Sequence, residues 1–146
     1  MKKTYKATVK KLKEGFQVEA EANGFKILFD EPENMGGTNK GMNPMSAALS
    51  VMGACQTVVA FMFAKQKGID LKDFYVEIEG DMDMSALMKQ TGDRTGFKEI
   101  RYKMHFDSDS SEEELHDFSN FIEQNCPVSD TFRQGTDLIN QGIVKE

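Results

Sequence analysis

The chain has 146 residues, one domain's worth, with 39% hydrophobic and 29% charged residues, the balance of an ordinary soluble globular protein. A net charge of -6 excludes a general nucleic-acid binder, which needs a basic field to neutralise phosphates. With only two cysteines, Cys55 and Cys126, and two histidines, His105 and His116, a disulfide-framed scaffold and an all-cysteine zinc site are excluded, and no recognised mixed spacing is present.

The start of the chain is basic, with Lys2, Lys3, Lys6, Lys10, Lys11 and Lys13, but no apolar run of signal-peptide length follows. These lysines read as the solvated side of a strand, and the expected compartment is a reducing cytoplasm. Tyr5, Ala7 and Val9 alternate with Lys6, Thr8 and Lys10. After Gly15, Phe16, Val18 and Ala20 alternate with Gln17, Glu19 and Glu21, and Asn23-Gly24 is a two-residue hairpin signal before Phe25, Ile27 and Phe29. A three-stranded antiparallel meander with one apolar face follows from this pattern. Asp30 to Met42, with Pro32, Gly36, Gly37 and Gly41, is a connecting loop, and its glycine spacing does not fit a phosphate-binding loop.

Asn43-Pro44 is a helix start, with Asn as cap and Pro in the first turn, while Lys65, Lys67 and Gly68 mark the other end. No charged residue lies between Gly41 and Ala64, a stretch of bilayer-spanning length. Ser46, Ser50, Gln56 and Thr57 interrupt it, so it reads as a long buried helix rather than a membrane span. Being apolar nearly all round, it needs cover on every side, and a partner subunit is the expected source. Lys72–Met84 and Phe97–Asp107 alternate as strands, with Ser85–Gly96 as a polar loop between them. Ser111-x-x-Glu114 is a capping box opening a helix through about Gln124, with Leu115, Phe118, Phe121 and Ile122 on its core face. Cys126-Pro127 starts a short helix ending near Gly135, and Thr136–Val144 reads as a last strand. The expected order is βββ-α-ββ-αα-β, an α+β protein.

Two positions could carry chemistry. With Pro127 as first helical residue, Cys126 is the expected N-cap, where a thiolate would face unpaired amides and the positive end of the helix dipole; the alternative is a small buried residue at a turn. Cys55 lies well inside the long helix, beyond the reach of that helix's own dipole unless Gly53 breaks and restarts it; on its own it reads as core rather than catalyst. A cysteine–histidine acyl-transfer pair involving His105 or His116 has no support from their placement. Glu112, Glu113 and Glu114 read as a solvated helix start.

The run Asn43-Pro44-Met45-Ser46-Ala47-Ala48-Leu49 through Met52-Gly53-Ala54-Cys55, continuing into Ala64-Lys65-Gln66-Lys67-Gly68-Ile69-Asp70-Leu71, resembles the first cysteine segment of the OsmC/Ohr family, and Cys126-Pro127-Val128-Ser129-Asp130-Thr131 resembles its second. With the order of elements between them, the resemblance covers almost the whole chain, as a divergent member and a single OsmC-like domain over residues 1–146. It implies an OsmC-like fold of antiparallel sheets packed on a long buried helix in an intertwined homodimer. It also implies a thiol-dependent peroxidase acting on organic hydroperoxides or hydrogen peroxide in oxidative-stress defence. Cys55 would be the peroxidatic and Cys126 the resolving cysteine, an external dithiol would be the reductant, and no cofactor, metal, nucleic acid or membrane is implied. The family's peroxidases place a Glu just after the Pro of the first motif, where this chain has Met45 and Ser46, and an Arg from the N-terminal region, where this chain has none before Arg94. An N-terminal lysine, Arg94 or Arg101 is a candidate substitute, though lysine lacks the guanidinium fork. Without a cation, a Cys55 thiol in an apolar pocket is expected to hold its proton more tightly. The alternative is a protein of the same fold that binds a small apolar ligand at the dimer interface, to which Met42, Met45, Met52 and Met62 would be suited.

Overall fold

Asn23 and Gly24 both adopt positive φ, 53° and 81°, the backbone that a tight two-residue hairpin requires. The turn joins β2 (Val18–Ala22) to β3 (Phe25–Phe29), and β1 (Thr8–Lys11) pairs on the other side, giving an antiparallel sheet in the order β1-β2-β3. The computed structural model describes residues 1–146. It divides them into two compact units, Met1–Ser50 and Val51–Glu146, with the boundary inside α1 (Pro44–Phe63).

In the first unit, the strand register lines up Val9, Ala20 and Ile27 on one face of the sheet, with Val18 and Phe29 beside them. Lys26 pairs with Glu19 at 2.9 Å on the opposite face. The apolar face stays open, with Phe25 80% and Ile27 58% exposed. The six N-terminal lysines are exposed, as expected, but only Lys10 and Lys11 lie on a strand, since β1 begins at Thr8. The loop after β3 is organised by Asp30, whose buried carboxylate accepts the Thr38 hydroxyl at 2.6 Å and the backbone N–H groups of Glu31, Thr38 and Lys40. The Thr38 hydroxyl and these amides hold Asp30 well below the usual carboxylate range, at about 2. Gly37 is required here, because a Cβ would fall 1.9 Å from the Glu31 carbonyl oxygen.

α1 starts as the sequence dictates: Asn43 Oδ1 accepts the Ser46 N–H at 2.8 Å and Pro44 occupies the first turn. It ends at Phe63, and Gly68 closes the following turn at φ 71°. Gly53 does not break it. Its missing Cβ lets α1 approach β4 (Leu71–Asp81): a methyl there would meet Ile78 Cδ1 at 2.9 Å.

In the second unit, β4 pairs antiparallel with β5 (Glu99–Ser108). Phe74, Val76 and Ile78, opposite Phe106, Met104 and Tyr102, form one face; Tyr75, Glu77 and Glu79, opposite His105, Lys103 and Arg101, form the other. Phe74 and Phe106 meet edge to face with centroids 5.0 Å apart. α3 (Glu112–Asn125) opens on the expected capping box, Ser111 and Glu114 each bonding the other's backbone, and leads into α4 (Pro127–Gln134). The core is Val59, Ala60, Ala64, Ile69, Phe74, Phe118, Ile122 and Cys126.

The α+β class and the antiparallel sheets match the expectation, with three differences. The polar loop after β4 contains a short helix, α2 (Met84–Met88), begun by Asp83, whose carboxylate accepts the Ser85 N–H at 2.9 Å. Thr136–Val144 forms no strand: a strand exists only by pairing, these residues pair with none, and Leu138 and Ile143 are exposed. Finally, α1 is covered on one face only; Met52, Gln56, Val59 and Ala60 are buried, whereas Val58 is 57% and Met62 65% exposed.

Candidate active site

Cys126 is the N-cap of α4, as Pro127 in the first helical position dictates: its backbone is extended and its Sγ accepts the Ser129 N–H at 3.4 Å. It is fully buried in the core of the second unit, and Cys55, half-buried on α1, packs against that core. The two thiols are neighbours, both free, and the fold brings them together from opposite ends of the unit.

The first turn of α4 acts on both sulfurs. While the Ser129 N–H meets Cys126, the backbone at Val128 lies close enough to Cys55 to lower its proton affinity. The dipole that α1 cannot offer Cys55 is therefore supplied by a different helix. It does not prevail: burial pushes the Cys55 thiol above its ordinary value, the Val128 backbone pulls it back, and the adjacent Cys126 adds to the rise. No cation of the second unit is among the groups acting on Cys55.

The candidate arginines lie elsewhere. Arg101 stands on the outer face of the hairpin, bonded to Glu79 at 2.8 Å and Asp81 at 2.7 Å and also to Glu99. These carboxylates raise its proton affinity and fix it in place. Arg94 has no ion-pair partner and lines a cleft of about 230 Å3 with Met52, Phe97, Tyr102, Ser129 and Arg133. Met52 lies one helical turn from Cys55, and Ser129 one turn from Cys126. Burial and the Glu123 carboxylate push the Tyr102 phenol up to about 12, so it stays protonated. Of the histidines, His105 hydrogen-bonds Glu77 at 2.7 Å and stacks on Tyr75, and His116 is exposed on α3.

Gln56 and Ser129 escaped sequence reasoning, which registered Gln56 only as an interruption of an apolar run. Gln56 is fully buried, its Nε2 donates to Ser129 Oγ at 3.2 Å, and its Oε1 has no partner. An acceptor buried without a partner is unfavourable by roughly 1–3 kcal/mol. A polar residue at a helical position otherwise flanked by Met52, Val59 and Ala60 was the available signal.

A family model described as "OsmC-like protein" matches residues 37–139. Proteins named hydroperoxide reductase in Mycoplasma genitalium and Mycoplasma pneumoniae are each 29% identical to the chain, over 82% and 84% of it and over 81% and 82% of their own lengths. The crystal structure of an OsmC-like protein from Mycoplasma pneumoniae superposes with a TM-score of 0.81 at 28% identity, covering 92% of this chain and 90% of that one.

Proposed function

The chain belongs to the OsmC-like protein family, and on that premise we propose that it is a thiol-dependent peroxidase reducing organic hydroperoxides or hydrogen peroxide through Cys55 and Cys126. The carrying observation is that the two sulfurs are neighbours at the first turn of α4, where the Ser129 N–H meets Cys126 and the Val128 backbone favours the Cys55 thiolate. Relatives named hydroperoxide reductase at 29% identity support the same reading.

In the first step the Cys55 thiolate attacks a peroxide oxygen, the O–O bond breaks, and the alkoxide leaves and takes a proton to become the alcohol; Cys55 becomes a sulfenic acid. In the second, the Cys126 sulfur attacks Cys55, the S–O bond breaks, and water leaves as the disulfide forms. An external dithiol then reduces the disulfide and is itself oxidised to a disulfide. The Val128 backbone would hold the small thiolate fraction of Cys55. The raised proton affinity of Cys55 makes that fraction low at neutral pH.

The functional protein is a homodimer on this reading. The open face of α1, with Val51, Val58, Phe61 and Met62, and the open face of β1–β3 are apolar surfaces of the kind a second copy covers. The 146 residues act as one OsmC-like domain, and a reducing cytoplasm suits a protein whose two thiols are free. A second reading, a protein of this fold that holds a small apolar ligand, is favoured by the missing cation at Cys55 and by the cleft beside Met52. Consumption of cumene hydroperoxide with excess dithiol separates the two: the wild type turns over and Cys55→Ser does not. Equal rates in both would sink the peroxidase reading.

A further inference from the structure

Gln56 is the polar exception on the buried face of α1. Its neighbours there, Met52, Val59 and Ala60, are apolar, and an apolar residue of the same size would fill the space without stranding an acceptor. Its one hydrogen bond runs to Ser129, a residue itself only 5% exposed. Ser129 is the third residue of α4, and its own N–H holds the Cys126 sulfur. A continuous chain therefore runs from α1 beside Cys55, through the Gln56 amide and the Ser129 hydroxyl, to the backbone that seats Cys126.

We propose, resting on the peroxidase reading, that Gln56 and Ser129 are positioning residues for the resolving step. They tie the first turn of α4 to α1 and so set the distance and approach of Cys126 to Cys55. The consequence is a choice between two fates of the sulfenic acid. Attack by Cys126 gives the disulfide and water. Attack on a second hydroperoxide oxygen gives a Cys55 sulfinic acid and an alcohol, which a dithiol does not reverse. The first is intramolecular and depends steeply on placement, whereas the second depends on peroxide concentration. Loosening the tie should therefore shift the outcome towards sulfinic acid. With the Gln56 amide turned over, Ser129 donates to Oε1 instead, and the tie stays in place.

The test compares reduced wild type, Gln56→Ala, Ser129→Ala and Ser129→Thr. Each is treated with cumene hydroperoxide and assayed by intact mass for disulfide against sulfinic acid. Each is also equilibrated with reduced and oxidised glutathione, which reads the effective concentration of one thiol at the other without any peroxide. Gln56→Ala and Ser129→Ala should lower that effective concentration about tenfold and raise the sulfinic share by a similar factor. Ser129→Thr, which keeps the hydroxyl, should stay near wild type. Wild-type values in both alanine variants, even with a lowered Tm, would overturn the proposal, and so would Ser129→Thr falling with Ser129→Ala. If peroxide leaves wild-type Cys55 untouched, the peroxidase reading fails by itself, and the glutathione equilibrium still decides the positioning role.

Discussion

Cys55 faces opposing influences that can be ranked. Burial and the second thiol favour the protonated form, the Val128 backbone favours the thiolate, and the net shift is upward. Only the thiolate attacks peroxide, so the rate of Cys55 oxidation should climb with pH and keep climbing past the ordinary thiol value of 9.0. Stopped-flow oxidation of the Cys126→Ser variant across that range checks this; a plateau below the ordinary value would show that a cation absent from the second unit acts on the site. The same upward shift means that the folded chain keeps a proton the unfolded chain releases. Stability should accordingly be full below the ordinary thiol value and decline as pH rises through the folded-state value. The Cys126 cap was legible because Pro127 makes it so. The Val128 contact was not, because it joins residues far apart in sequence, and no local pattern encodes which backbone lies beside which sulfur.

At the scale of elements, the local chemistry spoke plainly. Asn23-Gly24 made its hairpin, Ser111 and Glu114 made their capping box, and Asn43-Pro44 started α1, each because the interaction lies within a few residues. Thr136–Val144 failed for the opposite reason: apolar residues can suggest a strand, but pairing requires an edge elsewhere. Gly53 shows how packing reassigns a residue. It reads as a possible break in α1, yet the helix runs through it and the glycine serves the approach to β4. Gly53→Ala should be nearly neutral. Helix propensity gains about 1 kcal/mol, while the added methyl meets only the flexible tip of Ile78, a displacement of similar size. Gly53→Leu overpacks the same space and should destabilise the chain by about 1–3 kcal/mol in urea unfolding. If both variants unfold alike, α1 does not depend on that close approach.

For the whole molecule, the open apolar faces are the dominant fact left by a single chain. A helix that is 57% exposed at Val58 and 65% at Met62 is not finished by its own fold. The need for cover was legible in the uncharged stretch from Gly41 to Ala64, although the sequence could not tell which face the chain would bury for itself. A dimer should be seen by light scattering as twice the chain mass, and Val58→Asp should shift the protein towards monomer by placing a charge on the open face that a second copy would cover. A monomeric wild type would show that no second copy covers these faces. Whether the two sulfurs form a redox pair is decided by adding one equivalent of organic hydroperoxide to the reduced protein, with free thiols counted and peptides mapped. Both thiols should be lost, with one Cys55–Cys126 disulfide formed per peroxide consumed; two free thiols with the peroxide intact would rule the redox pair out.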